Sequence, residues 1–357
     1  MLTDIAISII TAYLALTNSL ATQIENIFSV DPVQSPVTAQ EESPTLTHLS
    51  SAYDAIPNVL LENSAYQRAA LIDTQLDVTT SATSLEALVN IYCTYTTDEY
   101  TRATTGTGYF IHTDGIILTN AHVAQFLLLE GVAGDTECII RTGDPAVPTY
   151  EADLLYISPA WVQKHAELIS QENPQGTGER DYALLYVTSG IDNNPMPRDF
   201  PAISIDVDLL TTDAIDDTVF AAGYPAAKIF AAGDGTSDLL PKQAETSVTE
   251  LMTFGSNYAD IFSIAGSTVG QQGSSGGPIV NAAGNAIGLI STRGDDALFG
   301  EGSLRAISLS YIDRTIQQET GYTLQQNLSG NLPYRARIFK EALVPFLRDM
   351  LTRELET

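Results

Sequence analysis

Positive charge is scarce in this chain of 357 residues: 16 Lys and Arg stand against 44 Asp and Glu, a formal net charge of −28. Binding to nucleic acid or to an anionic membrane draws on basic patches that neutralise phosphates, so bulk electrostatics excludes both as general partners. The same charge keeps the chain soluble and repels acidic substrates at long range. Cysteine is scarcer still, limited to Cys93 and Cys138, with no Cys-x-x-Cys spacing to support a zinc site. Two readings stay open for the pair. A disulfide would close a loop worth about 4 kcal/mol in the chain-entropy model, and the alternative is two buried free thiols.

Long apolar runs are missing except near the N-terminus, where Ile5 to Ala21 is close to the lower limit for a membrane span. Ser19-Leu20-Ala21 has the small-x-small form of a signal-peptidase site, although Met1-Leu2-Thr3-Asp4 lacks the basic segment a signal carries. Residues 1–21 read as a signal peptide or membrane anchor, which implies an extracytoplasmic location and favours a Cys93–Cys138 disulfide. Residues 22–50 carry Pro32, Pro36 and Pro44 among polar residues and read as a flexible linker. Within a helical extension over 51–84, residues 57–75 set Leu60, Leu61, Ala65 and Ala69 at helical spacing.

From Leu85 the pattern changes to short strands. Leu88–Tyr95 reads as the first, Thr96–Thr107 as a polar loop, and Gly108–Val123 as a hairpin turning at Asp114-Gly115. A short helix over Gln125–Glu130, strands over 137–141, 150–158 and 181–187, and a loop over 169–180 complete the first set. A second set covers 217–225, 245–254, 261–264, 279–280, 286–291 and 306–309. Short strands with turn signals and no alternating helices predict an all-β barrel core. Tyr311–Thr357 reads as helical, interrupted at Pro345, with an apolar face of Ile338, Phe339, Ala342, Leu343, Phe346, Leu347, Met350 and Leu351. Interleaved acids favour packing on the enzyme or a partner over a membrane surface.

Chemistry concentrates in Gly273-Ser274-Ser275-Gly276-Gly277-Pro278. A serine hydroxyl is a poor nucleophile at neutral pH and needs a base and an oxyanion site. Glycines let the backbone turn tightly enough to aim two N–H groups at one point. A base stands upstream at His122, on an Ala-His-Val turn just past a strand. An acid able to orient its imidazole stands at Asp181, at the mouth of a buried strand. The other histidines, His48, His112 and His165, read as structural or solvated. Ser275 is chosen over Ser274 because the Gly-Gly pair follows it directly.

Thr-Asn-Ala-His-Val, Asp-Tyr-Ala-Leu-Leu and Gly-Ser-Ser-Gly-Gly-Pro, in the order His, Asp, Ser, resemble the trypsin-like (chymotrypsin-fold) serine proteases, most of all the bacterial Do-like, high-temperature-requirement branch. The resemblance covers roughly residues 85–315 and implies two six-stranded antiparallel β-barrels. The first, 85–200, carries His122 and Asp181; the second, 201–315, carries Ser275; helices over 316–357 follow. It implies an oxyanion hole at the N–H groups of Gly273 and Ser275, and a substrate pocket at Val269, Ser291 and Thr292. An apolar Val269 predicts a small or medium apolar residue before the cut, with Arg293 binding an acidic side chain as the alternative.

No PDZ-like segment follows, unlike most Do-like proteases, and no Ile-Val-Gly-Gly-like new N-terminus precedes the barrels. A chain starting near Leu85 is therefore expected to be active without processing. Polypeptide substrates in envelope protein processing or quality control follow from the resemblance, with no cofactor and no metal. The rival is a catalytically silent protease-fold module that binds peptides or a partner. An α/β-hydrolase esterase would need the order Ser, Asp, His, which this chain does not have.

Overall fold

β-Branched and aromatic residues at strand spacing build the first barrel. In the computed structural model, its strands are β2 (Leu88–Thr96), β3 (Thr101–His112), β4 (Ile116–Thr119), β5 (Asp135–Thr142), β6 (Val147–Ile157) and β7 (Ala183–Gly190). All neighbours are antiparallel, and the order β2-β3-β4-β7-β6-β5 closes through β2 and β5. The structure describes residues 47–48, 59–70, 82–96, 101–131, 135–171, 178–226, 238–294, 300 and 302–355. The apolar run at 5–21, with its membrane reading, and nearly all of the 22–50 linker lie outside them.

The polar reading of 96–107 as a loop is corrected. Residues 101–107 pair with β2 in unbroken register, from Thr96↔Thr101 to Asn90↔Thr107. The stretch is polar, but its threonines are β-branched and fit a pleated surface as well as valine does. The hairpin turn does fall at Asp114-Gly115, where Gly115 takes a positive φ of 85°. Cys93 and Cys138 stand opposite each other on β2 and β5 and are joined by a disulfide.

The second barrel is β8 (Thr218–Gly223), β9 (Lys242–Thr253), β10 (Ile261–Ile264), β11 (Pro278–Asn281), β12 (Ala286–Arg293) and β13 (Leu304–Ser308). The order β9-β10-β13-β12-β11-β8 closes through β8 and β9, again antiparallel throughout. A two-residue strand, β1 (Thr47–His48), lies parallel to Met252–Thr253 on the outside. Val219, Val248, Leu251, Phe262, Ile279 and Ile290 fill the interior. The fold class is the expected one, two six-stranded barrels with helices at both ends.

Helices α1 (Val59–Glu62), α2 (Ser64–Ala70) and α3 (Ser84–Ala87) precede the barrels, and α4 (Ala121–Ala124) follows β4. Helix α5 (Pro159–His165) was not expected: Ser158 caps it by accepting the Trp161 N–H, and Pro159 opens it. At the C-terminus come α6 (Leu309–Thr320), α7 (Leu324–Asn327), α8 (Leu332–Ala342) and α9 (Val344–Leu355). Ile338, Phe339, Leu343, Leu347 and Leu351 are buried, so the tail packs on the enzyme, whereas Ala342 and Phe346 of the expected apolar face are exposed. Arg348 on α9 fixes the contact by donating Nε–H to the Leu128 carbonyl at 2.7 Å. No helix of the described residues is long and apolar enough to cross a membrane.

Candidate active site

His122 sits on α4, the single helical turn that β4 runs into, rather than on a plain turn. A 3-10 helix, Gln125–Leu129, continues it, and the Gln125 side chain donates to the His122 carbonyl at 3.0 Å. Asp181 lies two residues before β7. Because β4 pairs with β7, with Thr119 opposite Ala183, the two chain segments arrive side by side.

The carboxylate grips the histidine twice. Asp181 Oδ1 accepts the His122 backbone N–H at 2.9 Å, and Oδ2 stands 2.8 Å from Nδ1. Oδ2 also accepts the Ser291 hydroxyl at 3.0 Å, and Asn120 donates to the Asp181 carbonyl at 2.8 Å. Asp181 is fully buried. Burial pushes its carboxyl up, but the charge and hydrogen bonds of His122, with Ser291, outweigh this and hold it below its ordinary value. An ionised Asp181 requires the proton on Nδ1, which leaves Nε2 as the basic nitrogen.

The serine loop is held by the first barrel. Thr107 on β3 donates its N–H to the Ser275 carbonyl at 2.8 Å and its hydroxyl to the Gly273 carbonyl at 2.6 Å. Its Oγ1 in turn accepts the Tyr224 N–H at 3.0 Å. Gly276, at φ 90°, has no room for a side chain, because a Cβ would stand 1.8 Å from the Thr107 carbonyl. Ser274 is sealed, its hydroxyl without a partner among the described residues, whereas Ser275 is half-buried. The Ser275 hydroxyl donates to the Ser291 carbonyl at 3.3 Å rather than to His122. Ser291 therefore touches both the acid and the nucleophile candidate.

The 272–273 peptide is pinned as well. The Gln272 carbonyl accepts the Ala226 N–H at 2.7 Å, and in a trans peptide the Gly273 N–H then points the opposite way. Among the described residues no acceptor takes the N–H of Gly273 or Ser275. Two unpaired donors beside a serine hydroxyl are what an oxyanion site needs.

The pocket residues are less uniform. Ser291 is buried, Thr292 is half-exposed, and Arg293 is exposed at the end of β12. Val269 has no accessible surface and packs inside the second barrel with Ile290 and Leu304. Elsewhere, His112 Nδ1 accepts the Asp114 N–H at 3.1 Å, a turn-bracing role. Burial first, against a weaker pull from Asp114, lowers its pKa. His165 is lowered by burial too, and it lies against Trp161.

Thr107, Asn120 and Ala226 were not singled out from sequence, and Ser291 was read only as a pocket wall. The glycines on either side of Thr107 were the available signal. The loop reading of 96–107 hid it.

The sequence profile of the trypsin-like peptidase domain matches residues 106–289, a span that holds His122, Asp181 and Ser275. No curated protein matches the chain. Among solved structures, the Rv3671c protease from M. tuberculosis in its active form is similar at 16% identity and a TM-score of 0.40, over 81% of this chain and 96% of that one. Deg5 is similar at 16% identity and a TM-score of 0.43, over 66% and 90%.

Proposed function

Because the chain belongs to the trypsin-like peptidase family and is a serine endopeptidase, we propose that it cuts peptide bonds with Ser275 as nucleophile, His122 as general base and Asp181 as the group that orients the base. The observation that carries this reading is the buried Asp181 carboxylate held at 2.8 Å on His122 Nδ1. Nε2 is left free to take the Ser275 proton as Oγ attacks the scissile carbonyl. The tetrahedral oxyanion then lies between the Gly273 and Ser275 N–H groups. His122 returns the proton to the leaving amine, the C–N bond breaks, and an acyl-Ser275 ester remains. Water, deprotonated by His122, attacks that ester; the Ser275 leaving oxygen is reprotonated, and the acid product departs.

The Ser275 hydroxyl must leave the Ser291 carbonyl, a long bond at 3.3 Å, for His122. Catalytic hydrogen bonds often tighten only with substrate bound. Residues 85–200 and 201–315 are the two catalytic halves of this reading. The Cys93–Cys138 disulfide supports an oxidising, extracytoplasmic setting and so a role in envelope protein processing or quality control. Val269 packs inside the second barrel, so the preference for an apolar residue before the cut rests on the uncharged Ser291 and Thr292. A peptide library showing strong Arg or Lys preference would sink that specificity.

Fluorophosphonate labelling tests the site. The parent is expected to label on the Ser275 peptide, while Ser275→Ala and His122→Ala do not. A folded parent that fails to label would favour the silent peptide-binding module instead.

A further inference from the structure

Helix α6 lies outside both barrels, yet it grips both residues that flank Asp181. On one side, the Arg180 guanidinium is buried against the Glu319 carboxylate and donates to Gln318 Oε1 at 3.0 Å. On the other, the Tyr182 hydroxyl pairs with Thr315 Oγ1 at 2.8 Å. Asp181, between them, turns its carboxylate the other way, to His122.

We propose that α6 is a positioning element for the catalytic acid, with Glu319 acting on Arg180 and Thr315 on Tyr182. The inference deepens the triad reading and rests on it.

Three features carry it beyond ordinary packing. Arg180 takes a positive φ of 56°, a conformation that side chains beyond glycine avoid and that surroundings must hold. The turn it makes closes on Asp181 itself, the Tyr182 N–H reaching back to the Arg180 carbonyl at 2.9 Å. The second feature is how fully Glu319 is committed: besides Arg180 it accepts the Tyr156 hydroxyl, and the Ser158 hydroxyl at 2.9 Å. The third is stacking of Tyr156 on Tyr182, with ring centroids 5.9 Å apart, which joins the two grips into one buried network. A buried ion pair is weak support for stability, since an apolar replacement packs as well or better. What such a pair does supply is direction, because the planar guanidinium fork fixes where Arg180 lies.

The test uses the full chain and four variants. Glu319→Gln keeps the shape and removes the charge. It is expected to lower kcat about 10- to 100-fold, the scale of a misplaced catalytic group, with KM within about twofold. The low-field proton resonance of His122 Nδ1–H is expected to move or vanish with it. Ile316→Val, buried on the same helix with an apolar side chain that makes none of the network's hydrogen bonds, lowers Tm but leaves kcat and that resonance as in the parent. Tyr182→Phe gives a smaller kcat loss in the same direction, and decides the matter if Glu319→Gln does not fold.

A folded Glu319→Gln with parental kcat and resonance overturns the inference. So does Ile316→Val lowering kcat in step with its Tm. Ser275→Ala separates the two readings. If it stays active, the triad reading falls and takes this one with it; if it is dead while Glu319→Gln equals the parent, only this inference fails.

Discussion

Thr107 carries three hydrogen bonds across the line between the barrels: its N–H to Ser275, its hydroxyl to Gly273, and its oxygen accepting from Tyr224. Thr107→Val keeps the volume and the strand propensity but leaves the Gly273 carbonyl and the Tyr224 N–H unpaired in a buried place. The expected cost is about 1–3 kcal/mol of stability. With the Gly273 carbonyl freed, the loop that carries the proposed oxyanion donors loosens, and kcat is expected to fall about tenfold or more with little change in KM. Steady-state kinetics well below the variant's Tm check this. Parental kcat in the folded variant would show that Gly276 and Ala226 hold the loop unaided.

Glu130 sets a different dependence. Its Oε1 accepts the N–H of disulfide-bonded Cys138 at 2.9 Å, and burial pushes its carboxyl up to about 7 from 4.5. The backbone bond and Lys340 pull against burial, while Asp153 and Glu137 add to it. With the folded value above the unfolded one, the folded chain holds this proton more tightly. Stability is therefore lost as pH rises from about 4.5 through about 7, and the loss is complete above that. Glu130→Gln retains an acceptor for Cys138 without the charge. Its Tm relative to the parent is expected to rise between about pH 5 and about pH 8. A flat difference across that range would remove Glu130 as the cause.

At the scale of elements, the β2–β5 pair that closes the first barrel is also where the disulfide sits, joining residues 45 apart in sequence. Cys93→Ser with Cys138→Ser is expected to lower unfolding free energy by about 4 kcal/mol in the chain-entropy model. Reducing agent should lower the parent's Tm and leave the variant's unchanged. Sequence made the three residues of the proposed triad legible as candidates because each sits in a local context: Asn-Ala-His-Val after a hairpin, an acid opening an apolar run, a serine among glycines. The supports were not legible, because their partners are remote. Ser291 reaches Asp181 across 110 positions, and Thr107 reaches Gly273 across 166. The strand over 101–107 was masked by its polarity and α5 by the strand-like run before it, although Ser158-Pro159 is a helix-opening pair.

At the scale of the whole molecule, a chain of net charge −28 buries a cation whose hydrogen-bond partners among the described residues are all neutral. Arg335 on α8 is 1% exposed; it donates to the Asn327 and Ser329 carbonyls, to the Asn327 side chain and to the Tyr66 hydroxyl at 3.0 Å. Its guanidinium also lies 5.1 Å from the Tyr66 ring. Tyr66 belongs to α2, ahead of the barrels, and the neighbouring Gln67 donates to the Thr320 carbonyl at 2.9 Å, beside Glu319. The N-terminal helices thus cover the C-terminal ones at the end of the network that reaches Asp181. A chain starting at Leu85 keeps every residue of the proposed triad, so activity without processing is still expected at low temperature. Removing Tyr66 uncovers Arg335, however, and Tm is expected to drop. Tyr66→Phe isolates the hydroxyl's share, about 1.5–3 kcal/mol for a hydrogen bond to a charged group. If the shortened chain kept the parental Tm, the N-terminal helices would be passengers. If it lost kcat as well as Tm, their cover would extend through α6 to the acid itself.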